Sequence, residues 1–397
     1  MEVALYIHIP FCLQRCTYCD FNTYAGILDL RAAYADAVQH EIRQMAERYP
    51  DIAIASVYFG GGTPSLLAPI KIPNILHTIR QSFPLATNAE ITLEANPGTV
   101  NTEALTALIA AGVCRLSFGV QSVHADELRL LGRIHTWEDA VAAVALARRS
   151  GFDNISLDLM FGLPGQTLRQ WEQTLEQVLN LTPQHLSLYA LTVEPGTPLA
   201  DALDSKRYPT PDPDLGADMY EIASARLLAA GFWQYEISNW ARGQTPAPGI
   251  WALPPEGISE KIGPWICRHN LVYWRNQPWL GAGAGAHSWF GNRRWSNPLH
   301  PRDYTAAIQA GIATAQQDEV IPPALAQGET MMMGLRLAEG VGNARFNQRF
   351  GHDLTEQYGA TLQRLQTTGL VEWDTERVRL SAKGRLLGNQ VFGAFLP

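Results

Sequence analysis

The chain has 397 residues, a formal net charge of −8 and 46% hydrophobic residues. This composition predicts a packed protein with more than one compact unit and excludes a mainly disordered chain. The acidic balance argues against a nucleic-acid partner, because binding to nucleic acid relies on a basic surface. No apolar run reaches the roughly 18 residues of a transmembrane helix, and the first residues do not resemble a signal peptide. We therefore expect a cytoplasmic protein with at most peripheral membrane contact.

The first 230 residues predict six consecutive strand–helix units. The predicted strands are Val3–Ile9, Ile52–Phe59, Glu90–Glu94, Arg115–Val120, Asn154–Phe161 and His185–Leu191. The predicted helices are Leu30–Arg48 and residues 66–82, 102–111, 137–150, 168–180 and 215–230, with Gly112 and Gly151 at helix C-termini. Such an alternation predicts a parallel sheet covered by helices. A partial barrel and a doubly wound sheet both remain open, and in either the site lies at the carboxyl ends of the strands.

Composition divides the chain into four predicted segments. An α/β unit takes residues 1–240, and a Pro/Gly-rich insert, with five prolines and four glycines, takes 241–267. Residues 268–317 form a connecting segment with the HNLVYW sequence and a glycine-rich stretch, and 318–397 form a C-terminal domain. The end of the chain predicts a short hairpin followed by a helix, which is typical of a winged-helix-like α+β domain. In an acidic chain we expect this domain to pack against protein rather than DNA.

Three cysteines lie within eight residues, in the order Cys12-x3-Cys16-x2-Cys19. Thiolates at this spacing predict a metal site, for which zinc and an iron–sulfur cluster are the main alternatives. A structural zinc ion needs four protein ligands, and no fourth cysteine is close in sequence. Three ligands on a four-iron cluster leave one iron open to a further ligand. We expect the remaining cysteines, Cys114 and Cys267, to be small buried apolar side chains.

The order of short motifs gives a family resemblance. CxxxCxxC after the first strand resembles the radical S-adenosylmethionine superfamily, and YIHIPFC, GGGTPS, LEANPG, RLSFGVQS, LGRIHT and LDLMFGLPGQT resemble the HemN/HemW family within it. The resemblance implies a partial (β/α)6 radical-SAM barrel over residues 1–240, followed by the winged-helix-like domain. It also implies a [4Fe-4S] cluster on Cys12, Cys16 and Cys19 whose free iron binds S-adenosylmethionine, which is cleaved to a 5′-deoxyadenosyl radical.

The resemblance extends to aromatic and glycine residues at the strand ends. Tyr6, expected at the end of the first strand, and Tyr18, in the cysteine segment, resemble aromatic residues that line the adenosine site. Gly61, Gly62 and Thr63 resemble the loop that approaches the methionine amino group. Glycine allows a close backbone approach and a sharp turn at such a position.

Four polar residues are implied as cofactor ligands. Glu94 is expected to pair with a cationic group, and Gln121 and Asp158 to bind the ribose or the amino-acid portion. Arg133, expected on the following helical segment, is implied to pair with a carboxylate. Each residue alone has a simpler interpretation as a hydrogen-bonded or surface side chain.

Two branches of the family predict different functions. Oxygen-independent coproporphyrinogen III dehydrogenases convert propionates to vinyls by radical decarboxylation, whereas haem chaperones bind haem and pass it to apoproteins. The dehydrogenases carry a cysteine where this chain has Phe21 and an extension before the first strand, which here begins close to Met1. The absence of both from this chain favours the chaperone. The HNLVYW sequence also favours it, because it resembles the HNxxYW signature of the haem chaperones. A non-catalytic binding module with a relic cluster, which would not cleave S-adenosylmethionine, is a further alternative.

The HNLVYW sequence supplies the haem-binding candidates His269, Tyr273 and Trp274. His269 could ligate haem iron, and the two aromatic residues could stack on the macrocycle. The simpler interpretation is the start of a strand, with a hydrogen-bonded histidine and core aromatics. His287 is a second candidate ligand, whereas His124 and His135 are expected on helix surfaces.

The GAGAGA stretch at 281–286 lacks the lysine and the strand–helix frame of a phosphate loop and predicts close backbone packing near the ligand. The expected partners are haem, apo-haemoprotein clients such as respiratory enzymes, an electron donor such as flavodoxin or ferredoxin, and a second copy of the chain.

Overall fold

A computed structural model describes residues 1–67, 69–243, 263–312 and 314–396. Most of the predicted Pro/Gly-rich insert, residues 244–262, therefore lies outside the described residues. The chain forms two compact units that interleave in sequence. Within the described ranges, no helix is both long and apolar enough to cross a membrane.

The described strands and helices follow in chain order. The strands are β1 (Glu2–Ile9), β2 (Phe11–Cys12), β3 (Tyr24–Ala25), β4 (Ala53–Gly61), β5 (Leu85–Ala95), β6 (Arg115–Gln121), β7 (Asn154–Phe161), β8 (His185–Ala190), β9 (Phe232–Glu236), β10 (Asn239–Arg242), β11 (Trp279–Ala282), β12 (His287–Phe290), β13 (Arg293–Ser296), β14 (Gln316–Val320), β15 (Val341–Gly342), β16 (Val371–Trp373) and β17 (Arg377–Leu380). The helices are α1 (Arg31–Arg48), α2 (Lys71–Ser82), α3 (Thr102–Ala110), α4 (Ala125–Leu130), α5 (Trp137–Ser150), α6 (Leu168–Asn180), α7 (Pro198–Asp204), α8 (Pro213–Ala229), α9 (Arg268–Trp274), α10 (Pro301–Gln309), α11 (Pro323–Gly334), α12 (Asn343–Phe350), α13 (Leu354–Thr367), α14 (Ala382–Leu386) and α15 (Gly388–Phe392). Short 3-10 turns occupy Leu28–Leu30 and Pro64–Leu66.

The first unit, Met1–Tyr220 and Pro278–Glu319, contains the predicted strand–helix repeat. Strands β1, β4, β5, β6, β7 and β8 are neighbours in that order, and every pair is parallel. The six predicted strands are confirmed, in the parallel order expected of a partial (β/α)6 barrel. Strand β11 adds a further parallel partner to β1, and β12 and β13 continue antiparallel beyond it.

Alternation along each strand separates a core face from a site face. In β1, Leu5 and Ile7 are fully buried, whereas Tyr6 points to the opposite face. The register then brings polar residues of neighbouring strands together on the site face, because Glu94 of β5 is paired with Ser117 of β6. The strand sequences thus gather polar side chains on one face of the parallel sheet.

Local signals fix where several helices begin and end. Thr136 starts α5 with a capping box, in which its hydroxyl accepts from the Asp139 amide while the Asp139 carboxylate accepts from the Thr136 amide. Gly151 ends α5 in the left-handed conformation, as predicted, with φ of 105°. Gly112 has the same conformation after α3, with φ of 88°. These stops place each following strand at the start of the next repeat.

The second unit consists of Glu221–Gln277 and Val320–Pro397. It contains the β9–β10 hairpin and a three-stranded antiparallel sheet in the order β15-β17-β16. Its core includes Phe346, Leu362, Leu365 and Val378, each at most 2% exposed. The predicted C-terminal hairpin is β16–β17, and two short helices follow it, so the winged-helix-like α+β domain is confirmed.

The unit boundaries differ from the predicted segments at two places. Residues 221–240, predicted as part of the barrel unit, belong to the second unit, and 278–317, predicted as a connecting segment, belong to the first. Residues 278–317 join the first unit because β11 hydrogen-bonds to β1, with Leu280 paired to Leu5.

Candidate functional site

The three clustered cysteines lie at one cavity. Cys12 is on β2 and buried, and Cys16 and Cys19 are half-buried in the cysteine loop, which we define as residues 13–23 between β2 and β3. All three line a cavity of about 330 Å³ in the first unit. The Thr63 hydroxyl donates to the Cys12 Sγ at 3.8 Å, and burial raises the pKa of the Cys12 thiol. Within the described residues, no three His, Cys, Asp or Glu side chains form a single-ion site.

Most of the predicted cofactor residues line the same cavity. Those that do are Tyr18, Gly61, Gly62, Glu94, Gln121, Arg133 and Asp158. Thr63 instead lies beside Cys12, and Tyr6 lies within β1 rather than at its end. The Tyr6 ring stacks on the Tyr58 ring, with 6.3 Å between the ring centroids. The Tyr6 hydroxyl is 3.0 Å from His8 Nδ1.

The glycine turn after β4 fits tightly against its neighbours. Gly61 has φ of 112°, and a Cβ there would lie 2.5 Å from His8 Cε1. At Gly62 a Cβ would lie 2.7 Å from the Phe11 carbonyl oxygen and 3.0 Å from Cys12 Sγ. These positions therefore require glycine, because a side chain would displace His8 of β1 at the first and the backbone of β2 at the second.

Glu94 presents its half-buried carboxyl group to the cavity. Its oxygens accept from the Tyr58 hydroxyl at 2.7 Å and from the Gly61 amide at 3.2 Å. Burial raises its pKa to about 7, and the Tyr58 hydrogen bond opposes that shift. A cationic ligand group at this carboxyl would lower the pKa and stabilise the charged form.

Asp158 and Gln121 lie on the neighbouring strands. Both Asp158 carboxyl oxygens accept from the Ser117 hydroxyl at 3.1 Å, and burial raises the Asp158 pKa. Gln121 adopts the left-handed region with φ of 67°, which is uncommon for a residue other than glycine. Its buried Oε1 atom has no hydrogen-bond partner among the described residues. This amide oxygen is therefore able to accept from a hydroxyl group of a ligand.

Arg133 connects three elements at the cavity. It lies on the turn after α4, so the predicted helical position was wrong: α4 ends at Leu130. Its Nη2 donates to the Gly119 carbonyl oxygen at 2.6 Å and to Asn96 Oδ1, and its Nη1 donates to Cys16 Sγ at 3.4 Å. This guanidinium group holds the ends of β5 and β6 against the cysteine loop.

The predictions for three isolated residues were wrong. His135 is buried in the segment before α5, where burial lowers its pKa to about 4 and its Nε2 is 3.1 Å from the Val120 carbonyl oxygen. His124, at the start of α4, is half-buried, with its Nε2 3.0 Å from the Gln170 carbonyl oxygen. Cys114, just before β6, is exposed rather than buried, and its Sγ accepts from the Ile91 amide of β5 at 3.3 Å. Cys267 is buried as predicted.

The HNLVYW sequence forms helix α9 in the second unit, so the alternative prediction of a strand start was wrong. His269 is 1% exposed, and its Nε2 is 3.0 Å from the Tyr273 hydroxyl. Trp274 is half-buried, with the Arg336 guanidinium 5.3 Å from its ring centroid. Within the helix, Leu271 packs into a core cluster that Trp274 flanks. His287, the second haem candidate, is exposed on β12 of the first unit.

Two further cavity residues escaped sequence reasoning. Ser117 and Tyr189 line the cavity with the predicted residues. Ser117 lies two positions before Gly119, so the period of a strand would have placed it on the same face as the strand-end residues. Tyr189 is 43% exposed at the end of β8, and no motif marks it.

Comparison with known proteins identifies the family. The radical SAM superfamily model matches residues 6–178, and the HemN C-terminal domain model matches residues 327–387. Proteins named heme chaperone HemW are 37% identical in Bacillus subtilis, over 99% of both chains, and 36% identical in Mycobacterium tuberculosis, over 99% of this chain and 94% of the relative. A mitochondrial radical S-adenosyl methionine domain-containing protein 1 from Danio rerio is 34% identical over 100% of this chain and 87% of its own.

A solved structure shares the fold. Coproporphyrinogen III oxidase (HemN) from Escherichia coli, a radical SAM enzyme, superimposes with a TM-score of 0.83 over 99% of this chain and 90% of its own, at 24% identity. That identity supports the fold alone. Taken with the full-length relatives, the comparisons show that the chain belongs to the HemN/HemW family of the radical S-adenosylmethionine superfamily.

Proposed function

We propose that this chain is a haem chaperone that holds a [4Fe-4S] cluster and S-adenosylmethionine and transfers haem to apoproteins. The observation that carries the proposal is the match of 99% of the chain to relatives named heme chaperone HemW, at 36–37% identity. Its proposed partners are haem, apo-haemoprotein clients that include respiratory enzymes, an electron donor such as flavodoxin or ferredoxin, and a second copy of the chain.

The cavity suits the cofactors that the family implies. Three thiols at one cavity are the donor set of a cluster with an open iron. The unpartnered Gln121 Oε1 and the carboxyl group of Glu94 offer acceptors for hydroxyl and ammonium groups. When bound, the cluster and S-adenosylmethionine supply one-electron chemistry at this site.

The residues of this chain then have distinct roles. The Glu94 carboxylate binds the ammonium group of the ligand, and its bond from the Gly61 amide fixes its orientation. Arg133 is the candidate partner of the ligand carboxylate, and Asp158 and Gln121 bind hydroxyl groups. Tyr18, whose pKa burial raises, lines the cavity and reduces access of water to it.

We propose that haem binds at His269, with Tyr273 and Trp274 against the macrocycle. His269 is 1% exposed, and its Nε2 is bonded to the Tyr273 hydroxyl, so ligation by that nitrogen requires this bond to open. Because of this bond, we expect that removing the Tyr273 hydroxyl leaves haem affinity unchanged or raises it. Removing the His269 imidazole should lower haem affinity.

A haem titration tests this site. We expect His269→Gln to weaken haem binding at least about tenfold in a Soret titration, because a metal ligand is lost, and Tyr273→Phe to keep parental affinity or exceed it. His77→Gln, an exposed histidine on α2, is the matched control. Thermal unfolding of each variant shows whether it folds. Parental affinity in a folded His269→Gln variant would exclude this haem site.

A second assay separates the alternatives for S-adenosylmethionine. The cluster-reconstituted protein is incubated anaerobically with S-adenosylmethionine and a reductant, and 5′-deoxyadenosine is measured by mass spectrometry. Its formation supports a working radical-SAM site. Its absence, with an intact cluster, supports the relic-cluster alternative instead.

A further inference from the structure

The first half of the cysteine loop lies on the turn Leu130–Arg133. The Thr17 hydroxyl donates to the Leu130 carbonyl oxygen at 2.7 Å, and the Thr17 amide donates to the Leu131 carbonyl oxygen at 3.1 Å. Gln14 Nε2 donates to the Gly132 carbonyl oxygen at 3.1 Å. Gly132 has φ of 70°, and a Cβ there would lie 3.0 Å from Thr17 Cγ2. The turn therefore fits this half of the loop closely and needs glycine to do so.

The second half of the loop lies on the GAGAGA stretch. Asn22 Nδ2 donates to the Ala284 carbonyl oxygen at 3.1 Å and to the Leu299 carbonyl oxygen at 2.9 Å. The Asn22 carbonyl oxygen in turn accepts from His8 Nε2 at 2.9 Å. A Cβ on Gly285, which has φ of 71°, would lie 2.5 Å from Asn22 Nδ2. The glycines of this stretch thus allow the side chain of Asn22 to reach the backbone.

We infer that these two contacts, the 130–133 turn and the GAGAGA stretch, hold the cysteine loop in its metal-binding conformation before any cluster is bound. Thr17 and Asn22 are the positioning residues: Thr17 is adjacent to Cys16, and Asn22 follows Cys19 by three residues. The inference rests on the proposed cluster site and assigns a role to the GAGAGA stretch, which the cavity does not use.

The loop needs such contacts for a physical reason. Residues 13–23 contain only bends and turns, so no helix or sheet ladder of their own fixes the backbone. Ordering a free segment of this length when the cluster binds would cost conformational entropy at each residue. Contacts made in advance remove that cost, which is how a scaffold preorganises metal ligands.

Limited proteolysis of the cluster-free protein tests the inference directly. Arg15 is exposed in the loop and is the first lysine or arginine of the chain, so trypsin cleavage there yields peptide 1–15, which mass spectrometry quantifies. We expect Thr17→Val and Asn22→Ala each to raise the cleavage rate at Arg15 about fivefold, because losing a net hydrogen bond raises the open population by that order.

Two matched controls identify a local effect. Thr368→Val removes a hydroxyl that also donates to backbone carbonyl oxygens, and Asn101→Ala removes an exposed helix cap. We expect trypsin to cleave both control variants at Arg15 at the parental rate. Parental rates in Thr17→Val and Asn22→Ala, or a rate increase matched by an equal loss of global stability in urea, would overturn the inference.

The reconstituted protein gives the second readout. Iron release to a chelator should be about fivefold faster in Thr17→Val and Asn22→Ala than in the parent. Fast cleavage with parental iron release would overturn the link to the cluster. The proteolysis assay needs neither cluster nor haem, so its result does not depend on the proposed function. A failed haem titration would argue against the proposed function, and the cleavage rates would still show whether these contacts hold the loop.

Discussion

Glu41 makes a buried network whose strength depends on pH. The residue is on α1 and 4% exposed, and its carboxyl oxygens accept from the Gly283 amide at 2.8 Å, Asn297 Nδ2 at 2.7 Å and the Tyr304 hydroxyl at 2.6 Å. Burial raises its pKa from 4.5 to about 7, and the three hydrogen bonds oppose that shift. The network ties α1 to the glycine-rich stretch and to α10.

The magnitude follows from the shift in pKa. A change from 4.5 to about 7 corresponds to about 3 kcal/mol at about 1.4 kcal/mol per pKa unit. Because the folded state holds the proton more tightly, it binds more protons than the unfolded state between these two pH values. The free energy of unfolding contributed by Glu41 is therefore greatest below pH 4.5, falls as pH rises, and levels off above about 7.

The assay compares the parent with Glu41→Gln. Urea unfolding at steps from pH 4.5 to 7.5 gives the free energy of unfolding of each, and the parent-minus-variant difference removes the contributions of other buried acids such as Glu236. We expect that difference to decrease by about 3 kcal/mol across this range. A difference that is constant, or that increases with pH, would refute the reasoning.

Two further predictions concern the cavity. Gly61→Ala should lower the free energy of unfolding by about 2 kcal/mol, because the new Cβ would combine a positive φ with a close contact to His8. Gly98→Ala is the control: Gly98 has a φ of 82°, but no atom lies within 4 Å of the position of the new Cβ. We expect this variant to lose only about 1 kcal/mol. Equal losses in urea unfolding would refute the steric argument. Glu94→Gln should weaken S-adenosylmethionine binding to the reconstituted protein about tenfold, because the hydrogen bond to a charged ammonium group is lost; unchanged affinity by calorimetry would exclude that role for Glu94.

The parallel sheet was predictable because its strands carry strong local signals. Asn154–Phe161 was predicted with the bounds that the structure has, since β-branched and apolar residues alternate between polar ones. Strand β5, by contrast, begins at Leu85 rather than Glu90, and residues 85–89 lack buried side chains that would reveal it. The strand pattern alone left a partial barrel and a doubly wound sheet open, and the family motifs favoured the partial barrel.

Three strands around the glycine-rich stretch were missed. Strand β11 contains glycine and alanine, which have low strand propensity, and forms because β1 offers a parallel edge. The β12–β13 hairpin did carry a signal, since Gly291-Asn292 between HSWF and RRWS is a two-residue turn sequence. Helix α9 was predicted as the start of a strand because a run as short as HNLVYW has no clear period.

The cysteines and strand-end polar residues were predictable from spacing and strand topology. The contacts that hold the cysteine loop were not, because Thr17 and Leu130 are 113 positions apart and Asn22 and Ala284 are 262 apart. Only the tertiary fold brings such pairs together. The GAGAGA stretch packs closely, as predicted, but against His8, Tyr34 and Asn22, and none of its residues lines the cavity where the ligand was expected.

One experiment tests the central claim most directly. The cluster-reconstituted protein receives S-adenosylmethionine, a reductant and coproporphyrinogen III under anaerobic conditions, and a parallel sample is titrated with haem. We expect one haem bound per chain by the Soret band and no decarboxylated product by mass spectrometry. A vinyl-bearing product would contradict the account and make the chain a dehydrogenase.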